Sequence, residues 1–398
     1  MQLFEKCAKF GRARLLEEAG LYPYFFPFEG SDATTCTLDG KSKIMLGSNN
    51  YLGLTHDPRV VEAARDAILK YGTSCTGSRF LNGNLDLHEE LEQSLAELVG
   101  KPAALVFSTG YQTNVGVISA LAHRNDRVYL DRLDHASIVD GCLMAQVKFK
   151  RYGHNKLDEL RGLLEADREN GHGTCGSMVV VDGVFSMEGD LCDLPGLVEL
   201  CEQHGTALLL DDAHAIGVLG AGGAGTAEHF GLLERVPLIL GTFSKSLASI
   251  GGFAAGSEEV IHFLRHNARS LMFSASIPPS AAAAALTALR IVREEPERRE
   301  RLWRTTHRMR QGFADLGIET GPTESPIIPI YLGTEERTLA FWHALNEAGV
   351  YTNPILSPAV PEGSCLLRTS YMATHTDQQL EHVLEIFARI GRSLGTAP

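Results

Sequence analysis

The sequence predicts an α/β protein with a large, mostly parallel sheet covered by helices and a small α/β carboxy-terminal domain. Short continuous apolar runs alternate with amphipathic helical stretches between Ala103 and Phe253, a pattern typical of strands buried on both faces. A second alternation follows Pro296, which ends an alanine-rich helix. The chain has 398 residues, enough for two domains. We expect a lead-in segment at residues 1–56, a large domain at 57–295 and a small domain at 296–398.

Net charge and cysteine usage indicate which kinds of partner and which cellular compartment suit this protein. The formal net charge is -13, with 44% hydrophobic and 21% charged residues, which argues against a nucleic acid or an anionic membrane surface as the main partner. The eight cysteines are scattered and form no C-x-x-C pair. We therefore expect reduced thiols and a cytoplasmic protein. No spacing typical of a metal site, a Walker loop or a G-x-S-x-G elbow occurs, so no metal is expected.

The amino-terminal part predicts a helix followed by a hairpin. Residues 1–20 form an amphipathic pattern without the apolar core of a signal peptide. We expect this helix to pack on a partner subunit; the alternative is peripheral membrane contact if the substrate is a lipid. Residues 35–37 and 43–46 flank Asp39-Gly40, a hairpin signal.

Two helices are expected before the central sheet. Asp57-Pro58 predicts a capped helix start, and the apolar stripe continues to Tyr71. A loop at residues 72–84 precedes a helix at about 86–99. His88 lies in the first turn of that helix, where a capping role and a role in a site remain equally open.

The remaining elements follow from apolar runs and helical periodicity. The central part predicts strands at 103–107, 128–131, 178–181, 207–210 and 238–240, helices at 157–168 and 193–204, and a close-packed turn at Gly251–Phe253. The carboxy-terminal part predicts strands at 326–332, 349–352 and 365–370, with helices at 280–293, 297–316, 335–348 and 376–394.

Polar clusters follow the predicted central strands where each strand ends. They are Ser108-Thr109-Gly110, Asp134-His135, Asp182 to Ser186, Asp211 to His214 and Gly241 to Ser246. Ligands of open α/β sheets bind at the carboxyl ends of the strands. We therefore expect these five clusters to meet in one site.

Lys245 lies in a small, hydroxyl-rich loop after the last of these strands. Taken alone, a surface lysine with an exposed amine explains it about as well as a buried one. A lysine in a dry pocket can lose its proton and form a Schiff base with an aldehyde. Pyridoxal 5′-phosphate (PLP) supplies an aldehyde and acts as an electron sink.

Other residues of the clusters match what PLP needs. Asp211 is the candidate for the ring nitrogen, although a helix cap is a common alternative for such an aspartate. His214 is the candidate for the phenolic oxygen, with a core histidine as the alternative. His135 is the candidate for stacking on the ring, with helix capping as the alternative.

The phosphate of PLP requires hydrogen-bond donors. The amide groups of Gly110 and Tyr111 open a predicted helix, where anions bind favourably. Thr242 and Ser244 add hydroxyl groups next to Lys245.

From about residue 20 onward the chain resembles the α-oxoamine synthase family of fold-type I PLP enzymes, which condense an amino acid with an acyl thioester and release CO2. The motifs that carry the resemblance are Asn49-Asn50-Tyr51-Leu52-Gly53, Gly77-Ser78-Arg79 with His88, Ser108 to Tyr111, Asp134 to Ser137, Val184 to Asp190, Asp211 to His214, Gly241 to Ser246, and Leu367-Arg368 with His375-Thr376.

The resemblance implies a role for each site residue. Lys245 would carry the Schiff base and take the Cα proton, while Asp211, His214 and His135 would contact the cofactor ring. Ser186 would lie near the cofactor. Arg368, with Asn49 beside it, would bind the substrate carboxylate. Ser274 would reach the phosphate of the neighbouring subunit, which implies a homodimer with a shared site.

Within the family the chain most resembles the bacterial serine palmitoyltransferases. This implies L-serine and palmitoyl-CoA as substrates, although a carrier-protein thioester stays open. Leu356 stands where some of these enzymes have an arginine that engages serine. The alternatives within the family are glycine C-acetyltransferase and 8-amino-7-oxononanoate synthase. Outside it they are a PLP aminotransferase or aldolase and a cofactor-binding partner subunit without activity, which the presence of Lys245, Asp211 and His135 argues against.

Overall fold

The computed structural model describes residues 2–172 and 176–395. Its strands are β1 (Gly30–Ser31), β2 (Thr35–Leu38), β3 (Lys41–Met45), β4 (Ala103–Phe107), β5 (Arg127–Asp131), β6 (Lys148–Tyr152), β7 (Ser177–Asp182), β8 (Ala207–Asp211), β9 (Leu238–Thr242), β10 (Gly252–Gly256), β11 (Ile327–Gly333), β12 (Val350–Tyr351), β13 (Asn353–Ile355) and β14 (Cys365–Ser370). Its helices are α1 (Gln2–Ala8), α2 (Arg12–Glu18), α3 (Pro58–Tyr71), α4 (Asp86–Leu98), α5 (Gly110–Leu121), α6 (Ala136–Ala145), α7 (Leu157–Asp167), α8 (Leu194–His204), α9 (Thr226–His229), α10 (Glu258–Asn267), α11 (Arg269–Met272), α12 (Pro279–Glu294), α13 (Pro296–Asp315), α14 (Glu335–Glu347) and α15 (Asp377–Ser393).

The central sheet has the strand order β4-β10-β9-β8-β7-β5-β6. Strands β9, β8, β7, β5 and β6 pair in parallel. Val179 and Val181 of β7 pack into one hydrophobic cluster, whereas Met178 and Val180 pack into another on the opposite face. Both faces are therefore covered, which explains why the strands are continuous apolar runs. The predicted mostly parallel sheet covered by helices is confirmed.

The structure corrects the prediction of a turn at Gly251–Phe253. Gly251 makes the turn with a φ of 139°, but Gly252 already begins β10, which runs antiparallel to both β4 and β9. A Cβ at Gly252 would lie 2.8 Å from the Cα of Gly110. The glycine that indicated a turn instead lets the start of α5 pack directly on a strand.

Strand β6 (Lys148–Tyr152) was not predicted from the sequence. It lies at the edge of the central sheet, paired only with β5 among the described strands. Its sequence, Lys-Phe-Lys-Arg-Tyr, contains three charged and two aromatic residues, and only Tyr152 of the strand is buried. An edge strand therefore lacks the continuous apolar run that marked the buried strands.

Two smaller sheets flank the central one. The predicted hairpin is present, with β2 antiparallel to β3, and β12 adds to β3 in parallel. Strands β11, β14 and β13 form an antiparallel sheet whose apolar side packs with α13, α14 and α15 in one cluster. Residues 30–45 thus share a sheet with residues 350–351, and the predicted domain boundaries remain predictions.

The amino-terminal segment forms two short helices instead of one predicted helix. Helix α1 ends at Ala8 and α2 begins at Arg12, and Gly11 lies at this break, where glycine's low helix propensity favours an interruption. Arg12 of α2 lies 2.5 Å from Glu335 and donates to the carbonyl oxygen of Ser357 at 3.2 Å. These contacts fix α2 against the carboxy-terminal sheet region.

In the described ranges 2–172 and 176–395, no helix is both long enough and apolar enough to cross a bilayer. In the same residues, no three or more His, Cys, Asp or Glu side chains are grouped as metal ligands.

Candidate active site

A cavity of about 350 Å³ opens at the carboxyl ends of the central strands. Its lining contains these residues predicted from the sequence: Gly110, Tyr111, His135, Ser186, Asp211, His214, Thr242, Ser244 and Lys245. The strands end at one edge of the sheet because they run in parallel, and this brings the clusters together. The structure therefore places these side chains around one space.

Lys245 lines this cavity in the loop after β9. Burial lowers the pKa of its amine to about 8, against the opposing effect of Asp211 and Asp182. A lowered pKa makes the neutral, nucleophilic amine accessible close to neutral pH. The structure therefore favours the reactive lysine over the exposed surface lysine.

We expect the amine of Lys245 in the cofactor-free protein to react with an amine-directed reagent half-maximally near pH 8. Below that pH the ammonium form predominates and does not react; above it the neutral form predominates. Peptide mass spectrometry across a pH series measures the profile, with the exposed Lys148 in the same digest as the reference. A Lys245 midpoint at the ordinary lysine value of 10.5 would contradict the lowered pKa.

Asp211 ends β8 and Asp212 follows it, but the two side chains face different surroundings. Asp211 lines the cavity; its Oδ1 accepts from the amide of Ala213 at 2.9 Å, and its Oδ2 accepts from Asn114 at 2.6 Å. Asp212 turns away and accepts from the amide of Thr226 at 2.9 Å. Burial raises the pKa of Asp212 to about 7, against hydrogen bonds from Thr226. The cavity-facing carboxylate is therefore Asp211.

His135 is held from both its backbone and its ring. Its amide donates to Asp182 Oδ2 at 3.0 Å. Its Nδ1 lies 2.7 Å from Ser137 Oγ and accepts from the amide of Ser137 at 3.3 Å. Burial lowers the pKa of His135, with Asp211 opposing and Lys245 adding to the effect. His135 therefore caps α6 and lines the cavity at the same time.

A chain of hydrogen bonds runs from His214 to Arg368. His214 Nδ1 lies 2.8 Å from the hydroxyl of Tyr51, which donates to Asn49 Oδ1 at 3.3 Å. Asn49 Oδ1 also accepts from Arg368 at 2.9 Å. Burial, together with the charges of Lys245 and Arg368, holds the pKa of His214 well below its ordinary value. His214 is therefore a neutral imidazole connected to the predicted carboxylate-binding arginine.

Arg368 and Asn49 lie beside the cavity and not in its lining. Arg368 on β14 is buried, and its guanidinium donates to the carbonyl oxygen of Ser186 at 2.5 Å and to Ser370 Oγ at 2.9 Å. Ser186 does line the cavity. The arginine therefore reaches the site behind Ser186, with Asn49 next to it as predicted.

The start of α5 forms the other end of the cavity. Thr109 caps this helix by accepting from the amide of Gln112 at 3.0 Å, and the first intrahelical bond runs from Thr113 to Thr109. The amides of Gly110 and Tyr111 precede that bond, so their N–H groups are available to an anion. Thr242 Oγ1 and Ser244 Oγ lie 3.0 Å apart beside them.

Ser274 lies outside the cavity lining of the single chain. Its Oγ accepts from the side chain of Gln112 at 3.1 Å. It is therefore placed next to the first turns of α5, and its predicted contact with a neighbouring subunit remains a prediction.

His154 clamps the loop that carries Ser186. It bridges Asp131, 3.1 Å from its Nδ1, and Asp190, 2.8 Å from its Nε2. Although burial lowers it, hydrogen bonds to the two aspartates raise the pKa of His154 to about 10. A charged imidazolium therefore ties the residue 183–191 loop to the end of β5.

His88 takes the capping role of the two left open from the sequence. It is fully buried, its Nδ1 accepts from the amide of Leu85 at 3.1 Å, and its Nε2 lies 3.2 Å from the carbonyl oxygen of Ile277. It does not belong to the cavity lining.

Three residues of the site were given no individual role from the sequence: Tyr51, Asn114 and Ser137. Asn114 stands four residues after Gly110, one helical turn on, so the helical period could have placed it on the same face. Asp182, which begins one of the predicted strand-end clusters, does end β7 beside Asp211. Tyr51 is a fully buried tyrosine whose contacts come from the tertiary fold, which no local pattern indicates.

The residues present fit PLP, the cofactor predicted from the sequence. Amide and hydroxyl donors occupy one end of the cavity, the carboxyl groups of Asp211 and Asp182 and two imidazoles line it, and a lysine amine faces it. A Cβ at Gly110 would lie 2.8 Å from Thr242 Oγ1, so the glycine keeps the anion-binding end open. A planar, phosphorylated aldehyde requires this set of groups.

Comparison with known proteins supports the same assignment. Residues 41–387 match the model of the class I and II aminotransferase family. The chain is 49% identical over 389 residues to a serine palmitoyltransferase of Sphingobacterium spiritivorum, covering 98% of this chain and 96% of that protein. It is 43% identical over 385 residues to an 8-amino-7-oxononanoate synthase of Geobacter metallireducens, covering 96% and 97%.

Solved structures show the same fold. A high-resolution structure of SPT with PLP internal aldimine superposes with a TM-score of 0.95 at 36% identity, covering 99% of both chains. The fold is therefore the predicted fold-type I fold of PLP-dependent transferases, and the chain belongs to the class I and II aminotransferase family, within its α-oxoamine synthase branch.

Proposed function

We propose that this chain condenses L-serine with palmitoyl-CoA, releasing CO2 and CoA and forming 3-ketodihydrosphingosine, the first step of sphingolipid synthesis. The observation that carries the proposal is the meeting of Lys245, Asp211 and His135 in one cavity of a chain 49% identical to a serine palmitoyltransferase. The same groups would also suit an aminotransferase, which uses no acyl thioester. Release of CO2 and CoA distinguishes the condensation from transamination.

The cofactor would be held by residues already described. Gly110, Tyr111, Thr242 and Ser244 would bind its phosphate. Asp211 would hold the protonated ring nitrogen, and His135 would stack on the ring. PLP bound there supplies an electron sink for bond breaking at the amino acid's Cα carbon.

The protein's own groups then perform the proton steps and the positioning. The neutral amine of Lys245 takes the proton from Cα of serine at Nζ. Cα then bonds to the thioester carbonyl carbon while the C–S bond breaks and CoA leaves as a thiolate, which takes a proton from solvent. The bond from Cα to the carboxylate carbon breaks next, and the carboxylate is lost as CO2. Lys245 Nζ is also the group that can return a proton to that carbon.

Arg368 would bind the carboxylate of the amino acid until that loss. Its guanidinium is buried and held by Ser186, Asn49 and Ser370, so it is fixed in direction before substrate arrives. A fork-shaped guanidinium matches a carboxylate geometrically. Hydrogen bonds through Asn49 and Tyr51 connect it to His214. The place where the substrate carboxylate would bind is therefore next to the place where the cofactor ring would lie.

Replacing Arg368 by alanine should raise the KM for the amino acid by about 10- to 100-fold, because one charge-assisted interaction is lost. The KM for the acyl-CoA should change little, since the arginine would not touch it. Steady-state kinetics with each substrate varied in turn measures the split. Equal increases in both KM values would contradict the assigned role, and Arg368→Lys should recover only part of the loss because it lacks the fork.

Leu356 gives weight to a second candidate function. It is almost fully buried and packs in the carboxy-terminal hydrophobic cluster, so no charge stands where some serine palmitoyltransferases have an arginine. One relative, at 43% identity, is an 8-amino-7-oxononanoate synthase. The second candidate function is therefore a condensation that uses L-alanine and a shorter acyl thioester, and the third is a glycine C-acetyltransferase.

Release of labelled CO2 from carboxyl-labelled L-serine tests the reaction class. We expect release that depends on both the holoenzyme and palmitoyl-CoA, in equal amount to free CoA thiol. Labelled CO2 without a thioester, or CoA release without CO2, would contradict a decarboxylative condensation. Conversion of serine to its keto acid would indicate an aminotransferase instead.

We also propose a cytoplasmic homodimer that shares the site. Support comes from exposed apolar side chains at the cavity mouth: Ile250 and Tyr111 line the cavity yet are 50% and 48% exposed, and Phe273, next to Ser274, is 72% exposed. Apolar surface of this kind favours burial against another protein surface. The scattered cysteines, free wherever the structure describes them, suit a reducing compartment. Peripheral membrane contact remains a proposal for a long-chain substrate.

A further inference from the structure

Asn114 connects two groups of the site that come from different parts of the sheet. It lies on α5 with only 3% of its surface exposed, at the cavity wall. Its Nδ2 donates to Asp211 Oδ2 at 2.6 Å and to Ser137 Oγ at 2.9 Å. One amide group therefore touches both the carboxylate that ends β8 and the serine that begins α6.

The first contact completes the hydrogen bonding of Asp211. The other carboxylate oxygen accepts from the amide of Ala213, so each oxygen has one donor and the plane of the carboxylate is fixed. Among the described residues, Asn114 is the side chain that donates to Asp211. Asp182 lies beside Asp211 at this edge of the sheet and makes no donor available to it.

The second contact sets the direction of a chain of hydrogen bonds. An amide NH2 group can only donate, so Ser137 Oγ accepts from it and is free to donate its own proton to His135 Nδ1, 2.7 Å away. The backbone amide of Ser137 also donates to that nitrogen. Nδ1 is therefore an acceptor, and the proton of the neutral imidazole is on Nε2.

Packing does not account for this asparagine. Its Oδ1 is buried and has no hydrogen-bond partner in the described part of the chain, which is unfavourable. Rotating the amide would bring that oxygen against the carboxylate of Asp211, which is worse. A leucine of similar size would fill the space without an unpaired acceptor, so the two donors are what the residue provides.

We infer that Asn114 is a positioning residue that fixes the orientation of Asp211 and, through the hydroxyl of Ser137, supports the hydrogen bonding of His135 Nδ1. The inference rests on the proposed function, in which both side chains face the cofactor ring. It does not depend on which amino acid or acyl thioester is used.

The test replaces Asn114 by alanine and by leucine, with Thr113→Val as the matched control. Thr113 is the buried neighbour on α5, and its hydroxyl bonds only to the carbonyl of Thr109 among the described residues. Two quantities are measured without any acyl substrate. One is the Kd of the cofactor-free protein for PLP; the other is the midpoint of the pH-dependent absorbance change of the bound cofactor.

Both Asn114 variants should bind PLP about tenfold more weakly, because a charge-assisted hydrogen bond no longer orients Asp211. The absorbance midpoint should move to higher pH, because a less firmly held ring proton no longer disfavours a proton on the lysine-linked nitrogen. Thr113→Val should match the wild type in both measurements.

Two results would overturn the inference alone. Both variants could stay within about twofold of wild type in Kd with an unmoved midpoint, or leucine could restore what alanine loses, which would show that packing alone matters. If the alanine variant does not fold, the leucine variant decides. Failure of the wild type itself to bind PLP with a Lys245-dependent absorbance change would instead overturn the proposed function, and this inference with it.

Discussion

Replacing Lys245 by alanine lowers turnover by about 1,000-fold or more, since the group that moves the Cα proton is removed. The variant should still bind PLP through the donors at Gly110, Thr242 and Ser244, because these do not depend on the lysine. It should, however, lose the absorbance band that depends on the covalent link. Absorbance spectra and a CoA-release assay on the same preparation measure both effects.

The exposed Lys148 is the control, because its replacement by alanine removes a charge on an edge strand far along the sheet from β9. That variant should turn over like the wild type. If Lys245→Ala retained more than a tenth of wild-type turnover, another base would have to be found.

Replacing Asp211 by asparagine should lower kcat by about 100-fold or more, because the carboxylate that would hold the protonated ring nitrogen is lost. The size of the side chain is kept, so the contact to the amide of Ala213 can persist. The effect should therefore appear in kcat and in the cofactor's absorbance, and the thermal midpoint of the cofactor-free protein should change little.

Asp212→Asn is the matched control for this prediction. Asp212 is adjacent in sequence and fully buried. Its carboxylate accepts a hydrogen bond from the amide of Thr226, and an asparagine oxygen can accept the same hydrogen bond. Turnover should stay near the wild-type level. Equal losses in the two variants would mean that the strand end, and not the carboxylate facing the cavity, is what the reaction requires.

Much of the large sheet could be predicted because buried strands carry an unmistakable pattern. Val179 to Val181 face both covered sides, so every residue is apolar. Once the strands are placed, the positions of their carboxyl ends are also predicted. This in turn predicts that Asp211, His135 and Lys245 lie close together. The edge strand β6 and the antiparallel β10 lacked that pattern: the first is half-exposed, and the second begins with Gly252, where a side chain would collide with the start of α5.

The side-chain connections within the site were less predictable. The donors of Asn114 and the hydroxyl of Tyr51 act through partners 97 and 163 residues away, so no local sequence pattern indicates them. For His88 the sequence left a cap and a site role equally open, and its contact with the amide of Leu85 is that of a helix cap. Polar groups that are far apart in the sequence can therefore be neighbours in the site without any local pattern that predicts the contact.

A CoA-release assay that crosses three amino acids with three acyl-CoAs tests the central claim most directly. The purified holoenzyme is given L-serine, glycine or L-alanine with acetyl-, pimeloyl- or palmitoyl-CoA. The account predicts the highest kcat/KM for L-serine with palmitoyl-CoA, and no CoA release from Lys245→Ala with any pair. Turnover confined to glycine with acetyl-CoA, or to L-alanine with pimeloyl-CoA, would contradict it.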